Sequence, residues 1–163
     1  MARRVHCPAH GQREVHMAGM LKVARLYFVL LAITAGGRWL MGAFDVPYEE
    51  GHYFFSISIL TIISCLYYGA FLRRWLDYRL IRAALFGVLL GVTSQVLIFA
   101  LTVASYAFGL DTYYNHPTAL NAPEALPLSQ ALVVRLIGVI GNPIGTGVTA
   151  ALGWALGGLL PKN

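Results

Sequence analysis

The sequence predicts an all-α integral membrane protein, with four transmembrane helices in an up-and-down bundle and both the N- and C-termini cytoplasmic. Hydrophobic residues fill 58% of the 163 positions and charged residues only 12%, and the mean hydropathy is +0.64, a balance too apolar for a soluble domain of this length. The apolar residues gather into four blocks, about 21–44, 52–72, 81–108 and 131–160. Each is long enough to cross a hydrocarbon layer of about 30 Å, which takes roughly 20 helical residues. Helices of a soluble core alternate apolar and charged faces, whereas the interiors of these blocks carry almost no charge on any face.

The third observation is the placement of charge. Arg3, Arg4, Arg13, Lys22 and Arg25 precede the first block, Arg73, Arg74, Arg79 and Arg82 separate the second from the third, and Lys162 ends the chain, so ten of the twelve basic residues share one side. The opposite side holds Asp45, Glu49, Glu50, Asp111 and Glu124, with Arg38 and Arg135 inside the ends of spans. The positive-inside rule then makes the N-terminus, the middle loop and the C-terminus cytoplasmic, and the expected location is a bacterial plasma (inner) membrane. The net charge of +5 is thus an orientation signal that also attracts anionic lipid headgroups around 73–82, with no nucleic-acid partner implied.

Taken in order, residues 1–18 are polar, basic and aperiodic, which predicts a disordered cytoplasmic tail ahead of a transmembrane domain over 19–163. His6, Cys7, His10 and His16 in that tail fit no zinc spacing. The first block looks like a secretory signal at its start, but its apolar run continues through Trp39 to Phe44 without a cleavage pattern, so it reads as a retained span. Arg38 near its end is expected to snorkel outward to Asp45, Glu49 or Glu50. In the second block Ser58, Thr61, Cys65 and Tyr68 share a mildly polar face that suits protein better than lipid. Along the third, Ala83, Gly87 and Gly91 lead at intervals of four to Gln95, a mid-membrane amide that needs a partner.

The fourth block is glycine-rich. Gly141, Gly145, Thr149, Gly153 and Gly157 recur at every fourth position, a stripe that predicts a close, right-handed crossing against Gly87 and Gly91 of the third span, or against the same face of a second copy. Pro143 predicts a kink, or a stop and restart with Asn142 as the new N-cap. The Asn142-Pro143 pair resembles the half-helix starts of aquaporins, although those have two such pairs, each followed by alanine, in six spans, and this chain has one, followed by Ile144. Between the third and fourth blocks, Tyr113, Tyr114 and Asn115 among Pro117, Pro123 and Pro127 suggest a loop lying on the membrane surface or docking on a partner.

Chemistry is sparse. No nucleophile stands beside a base, no glycine loop follows a strand to cradle phosphate, and no carboxylate or histidine lies mid-span, so neither catalysis nor a cofactor is indicated. His52, His116 and the acidic residues of the external loops have suitable ligand types for a metal but no spacing that fixes one, and no metal is assigned. The expectation is therefore a non-catalytic accessory, assembly or scaffolding subunit. Its helix-packing residues would be Gly87, Gly91, Gly141, Gly145, Thr149, Gly153 and Gly157, and its partners membrane lipid and other membrane subunits or a second copy. The alternative is a small oligomeric transporter or channel with a polar path along Ser58, Thr61, Ser94, Gln95, Asn142 and Thr146.

Overall fold

The computed structural model describes the backbone of residues 9–159 and the side chains of 22–159. Every regular element among them is helical: α1 (Ala9–Ala43), α2 (Tyr48–Gly51), α3 (Ile57–Arg74), α4 (Leu80–Phe108), a 3-10 turn (Pro117–Leu120) and α5 (Leu128–Gly157). Four of them are long and apolar enough to cross a membrane, namely Lys22–Ala43 within α1 and the whole of α3, α4 and α5. The chain is thus an all-helical integral membrane protein with four candidate spans. Of the N-terminal tail, residues 1–8 lie outside the described residues, and 9–18 continue α1 at the level of the backbone.

Two span boundaries differ from the hydropathy reading. The second span starts at Ile57 rather than near 52, because Tyr48–Gly51 forms a separate turn and Ser56 caps α3, its hydroxyl accepting from the Ile59 amide at 3.4 Å. The fourth starts three residues early, at Leu128, directly after Pro127, whose fixed φ suits a helix entry.

Leu31, Leu72, Phe86 and Leu90 are buried in the core, but unlike a soluble bundle the outer faces are apolar too. Leu26 and Ile33 on α1, Ile63 on α3, Ile81 and Leu85 on α4 and Ile140 and Ile144 on α5 are exposed, while Thr61, Ser64, Ser94, Thr102, Ser105 and Thr146 are buried. Hydrocarbon gives no reason to hide a leucine, and it makes an unpaired hydroxyl costly. The buried hydroxyls accordingly donate within their own helices: Thr61 to the Ile57 carbonyl at 2.7 Å, and Ser94 to Gly91, Thr102 to Ile98 and Ser105 to Leu101, all at 2.8 Å.

α5 lies against both α4 and α3, most extensively against α4, and α1 packs on α3 and α4. Tyr27 ties α1 to the other two, its phenol donating to the Leu90 carbonyl at 3.2 Å and sharing a 3.1 Å bond with the Thr61 hydroxyl. At the end of the bundle holding the 73–82 connection, Arg73 donates to the Trp154 and Ala155 carbonyls at 3.2 and 3.3 Å and lies 4.0 Å over the Trp154 ring. Trp154 in turn donates from its indole to the Tyr78 carbonyl at 2.7 Å.

The opposite end is closed by the loop that follows α4. Gly109 in the left-handed region caps α4, and Asn115 organises the next turn, its amide oxygen accepting from the Thr112 amide at 2.7 Å and its nitrogen donating to Leu110 at 3.0 Å. The aromatic pair expected on the membrane surface or against a partner is instead used internally. Tyr113 donates to the Val46 and Pro47 carbonyls at 2.9 and 3.0 Å, Tyr114 donates to the Ala35 carbonyl at 3.1 Å, and both rings are buried. His52 and His116 both stack on Tyr48, with centroids at 5.1 and 4.3 Å, so the two connections at this end are joined by rings.

Candidate functional site

α5 reaches its neighbours through backbone rather than side chains. Its buried residues are Ala131, Pro143, Thr146, Gly147, Ala150, Gly153 and Gly157. From Pro143 onward these buried positions serve two partners, 143, 146 and 150 against α4 and 150, 153 and 157 against α3. Gly87 and Gly91 of α4 meet Thr146, Ala150 and Pro143, Gly69 of α3 meets Ala150 and Trp154, and Gly153 and Gly157 meet the backbones of Leu66 and Ala70 on α3.

The every-fourth stripe of α5 therefore does not act as one face. Gly153 and Gly157 are packed and buried, whereas Gly141 and Gly145 are exposed with nothing within 4 Å of an added Cβ, and Thr149 donates back to its own helix at Gly145. The reason is geometric: at about 3.6 residues per turn, each four-residue step overshoots by roughly 40°, so positions sixteen apart point about 160° from each other. One end of the stripe faces α3 and the other faces away from the bundle.

Beside that outward end lies a cavity of about 190 Å³ between α3, α4 and α5, lined by Ile57, Ser58, Thr61, Ile62, Ser94, Gln95, Asn142, Gly145, Thr146 and Thr149. All six residues of the expected polar path, Ser58, Thr61, Ser94, Gln95, Asn142 and Thr146, are among them. Its rim residues Ser58, Ile62, Asn142 and Gly145 are exposed on the flank of the bundle, so it is a groove open sideways. The hydroxyls of Thr61, Ser94, Thr146 and Thr149 all donate to carbonyls of their own helices.

The two amides differ. Gln95 and Asn142 converge over Gly138, where an added Cβ would lie 3.1 Å from Gln95 Oε1 and 3.5 Å from Asn142 Nδ2. Yet no hydrogen bond joins them, and neither has a partner among the described residues. Between them the helix runs unbroken through Pro143 from Leu128 to Gly157, so Asn142 does not cap a restarted helix and the aquaporin-like half-helix is absent. Pro143 still supplies no amide to the carbonyl of Val139 one turn back.

A second chamber of about 230 Å³ lies at the loop end and holds a feature that the charge pattern did not reveal. Arg38 and Arg135, far apart in sequence, both line it. Arg38 was expected to meet the external carboxylates, but the partners of both arginines are neutral. Arg38 donates to the His52 carbonyl at 3.1 Å and the Tyr48 hydroxyl at 3.3 Å, and lies 5.7 and 5.5 Å from the Tyr48 and Tyr113 ring centroids. Arg135 donates to the Tyr114 and Ala119 carbonyls at 2.6 and 3.2 Å and to the Thr102 hydroxyl at 3.1 Å. Burial pushes the neighbouring phenols of Tyr114 and Tyr113 upward against the opposing pull of the arginines, so both stay neutral donors at ordinary pH. The signal that could have found this chamber was the presence of two arginines, and no lysine, inside span ends on the acidic side.

The groove and the chamber share Ile57 and Ser58 in their linings, and the chamber shares Tyr48 and Tyr113 with an outer vestibule of about 420 Å³ that includes Asp45, Glu49, Asp111 and His116. Comparison with protein-family models, curated proteins and solved structures found no match.

Proposed function

We propose that this chain is a non-catalytic membrane subunit that works by association, its groove beside α5 receiving a transmembrane helix, and that the helix is α5 of a second copy. The observation that carries the reading is the pair of amides without partners, Gln95 and Asn142, beside glycines 141 and 145 that touch nothing. An amide left open to hydrocarbon costs roughly 2–7 kcal/mol on transfer scales, and a bare glycine flank lets another backbone come close enough to remove that cost. A carboxamide both donates and accepts, so one Asn142 brought opposite its equivalent across a two-fold axis satisfies both. That self-complementarity favours a second copy over an unrelated helix. The same reading places both termini in the cytoplasm of a bacterial plasma membrane, on the strength of the ten basic residues sharing one side.

Energy transfer between two labelled populations of the full chain, in vesicles and in mild detergent, tests this. Association is expected, and Gly141→Leu, Gly145→Leu and Asn142→Leu should each reduce it while leaving the monomer folded, since neither glycine has a neighbour within 4 Å. A wild-type chain that stays monomeric in vesicles, or association indifferent to all three changes, would refute it. Association only with a different membrane protein would keep the face and replace the occupant.

A second reading, a small oligomeric transporter or channel, is favoured by one observation: vestibule, chamber and groove follow one another through shared lining residues. A docked second copy would wall off the sideways opening. Liposome flux of ions, water or small solutes that disappears in Asn142→Leu would support it, and absence of flux would leave association alone.

A further inference from the structure

We propose that the loop-end chamber between Arg38 and Arg135 is a binding site for an anion of the phosphate or carboxylate class. The chamber carries two guanidiniums and no Asp or Glu in its lining. Neither cation has an ion-pair partner among the described residues, and the bonds they make go to backbone carbonyls and hydroxyls. Such acceptors orient a guanidinium and solvate part of it, but they leave its charge in place. Two like charges held in one cavity within the ends of membrane spans are a costly arrangement unless something negative joins them.

The geometry suits one class of ligand. Each guanidinium is held in place, Arg135 by three bonds and Arg38 by two and by the Tyr48 and Tyr113 rings, and each retains unused N–H donors. A planar fork with free donors matches the paired oxygens of a carboxylate or phosphate. Ser56, Ser58 and Thr118 line the same space and add hydroxyl donors. About 230 Å³ admits a phosphate group with room for a linked fragment.

The neighbouring vestibule carries Asp45, Glu49 and Asp111, whose charge opposes an anion. The chamber also shares Ile57 and Ser58 with the groove, and Ser58 is exposed on the flank of the bundle. A lipid phosphate and a free phosphate present the same chemistry to the arginines, and the experiment separates them.

The test uses the full chain in uncharged detergent and in nanodiscs. One arm titrates inorganic phosphate and follows thermal unfolding; the other compares, by native mass spectrometry, retention of phosphatidylglycerol with that of phosphatidylcholine. Saturable stabilisation by phosphate, or selective retention of phosphatidylglycerol, is expected, and which arm responds identifies the source. Arg38→Gln should weaken the response about tenfold or more, the loss of one charged hydrogen-bonding partner. Because Arg135 also holds the loop, the second variant is Thr118→Glu. A carboxylate placed in the chamber should raise the unfolding temperature without ligand and abolish the response in both arms. No response in either arm, or a response that survives both variants, would overturn the site. Neither result depends on whether the chain self-associates, since the groove glycines and Asn142 lie outside this chamber.

Discussion

Gly153 and Gly145 occupy equivalent places in the every-fourth pattern of α5, yet an alanine should behave oppositely at the two. At Gly153 an added Cβ would fall 2.8 Å from both Cα and the carbonyl carbon of Leu66, inside the distance that real Cβ atoms keep. Those are main-chain atoms of α3, so no side chain can swing aside. α5 must retreat from α3, and the retreat also opens the contacts of Gly157 with Ala70 and of Gly69 with Ala150. Overpacking of that kind costs about 1–3 kcal/mol. At Gly145 nothing lies within 4 Å, and replacing a helical glycine by alanine ranges from neutral to a gain of about 1 kcal/mol. Unfolding by increasing mole fraction of SDS in mild detergent, at a dilution that keeps the chain monomeric and followed by tryptophan fluorescence, measures both. A Gly145→Ala loss as large as that of Gly153→Ala, or a Gly153→Ala change within about 0.5 kcal/mol of the parent protein, would refute the assignment of the two glycines to different faces.

Three further outcomes follow from the ends of the bundle. Arg73→Ala removes the donor to the last carbonyls of α5 and the cation over Trp154, and should cost about 1–2 kcal/mol in the same unfolding assay, with Arg73→Lys recovering part of it. Tyr113→Phe removes the donor to the Val46 carbonyl, while the Pro47 carbonyl keeps the Glu50 and Gly51 amides; a loss of about 1–3 kcal/mol is expected, with faster proteolysis within 109–127 by a protease added to the loop side. The phenols of Tyr113 and Tyr114 are held above their ordinary value of 10.0, chiefly by burial. For an acid whose folded pKa is raised, the stabilisation is complete below the unfolded pKa and is lost as pH climbs through the folded one. Stability should therefore be flat near neutrality and fall above about pH 10, with phenolate absorbance appearing together with unfolding, and Tyr114→Phe should soften the alkaline limb.

The spans were legible because the membrane imposes them: a continuous apolar block of sufficient length has few alternatives to a crossing helix. The groove was legible for a related reason, since Ser58, Thr61, Ser94, Gln95, Asn142 and Thr146 are the kind of residue that hydrocarbon expels, and they line one cavity. The division of the α5 glycines was not legible. Periodicity locates a stripe to within a turn, but a drift of roughly 40° per step lets a rotation of the whole helix decide which glycines are covered, and that rotation is set by α3 and α4 together. The loop was opaque because its anchors are remote: Tyr114 ends on Ala35 and Tyr113 on Val46 and Pro47. Nothing local to 109–127 distinguishes a ring waiting for a partner from one already buried against another span.

The arginines are the most informative departure, because the rule that misplaced them is sound for surfaces. An exposed ion pair gains about 0–1 kcal/mol, little enough that side-chain entropy cancels it, whereas a charged donor bonded to a buried acceptor gains about 1.5–3 kcal/mol. With carbonyls of His52, Ala119 and Tyr114 turned inward at the loop end, a guanidinium does better to stay within the chamber than to follow a carboxylate into water. Asp45 and Glu49 line the vestibule beyond the Tyr48 and Tyr113 rings, so the acids and the bases of this end occupy different compartments. The separation has a chemical result. Carboxylates in contact would have cancelled the arginines, whereas carbonyls only orient them, and the positive charge remains available to whatever enters.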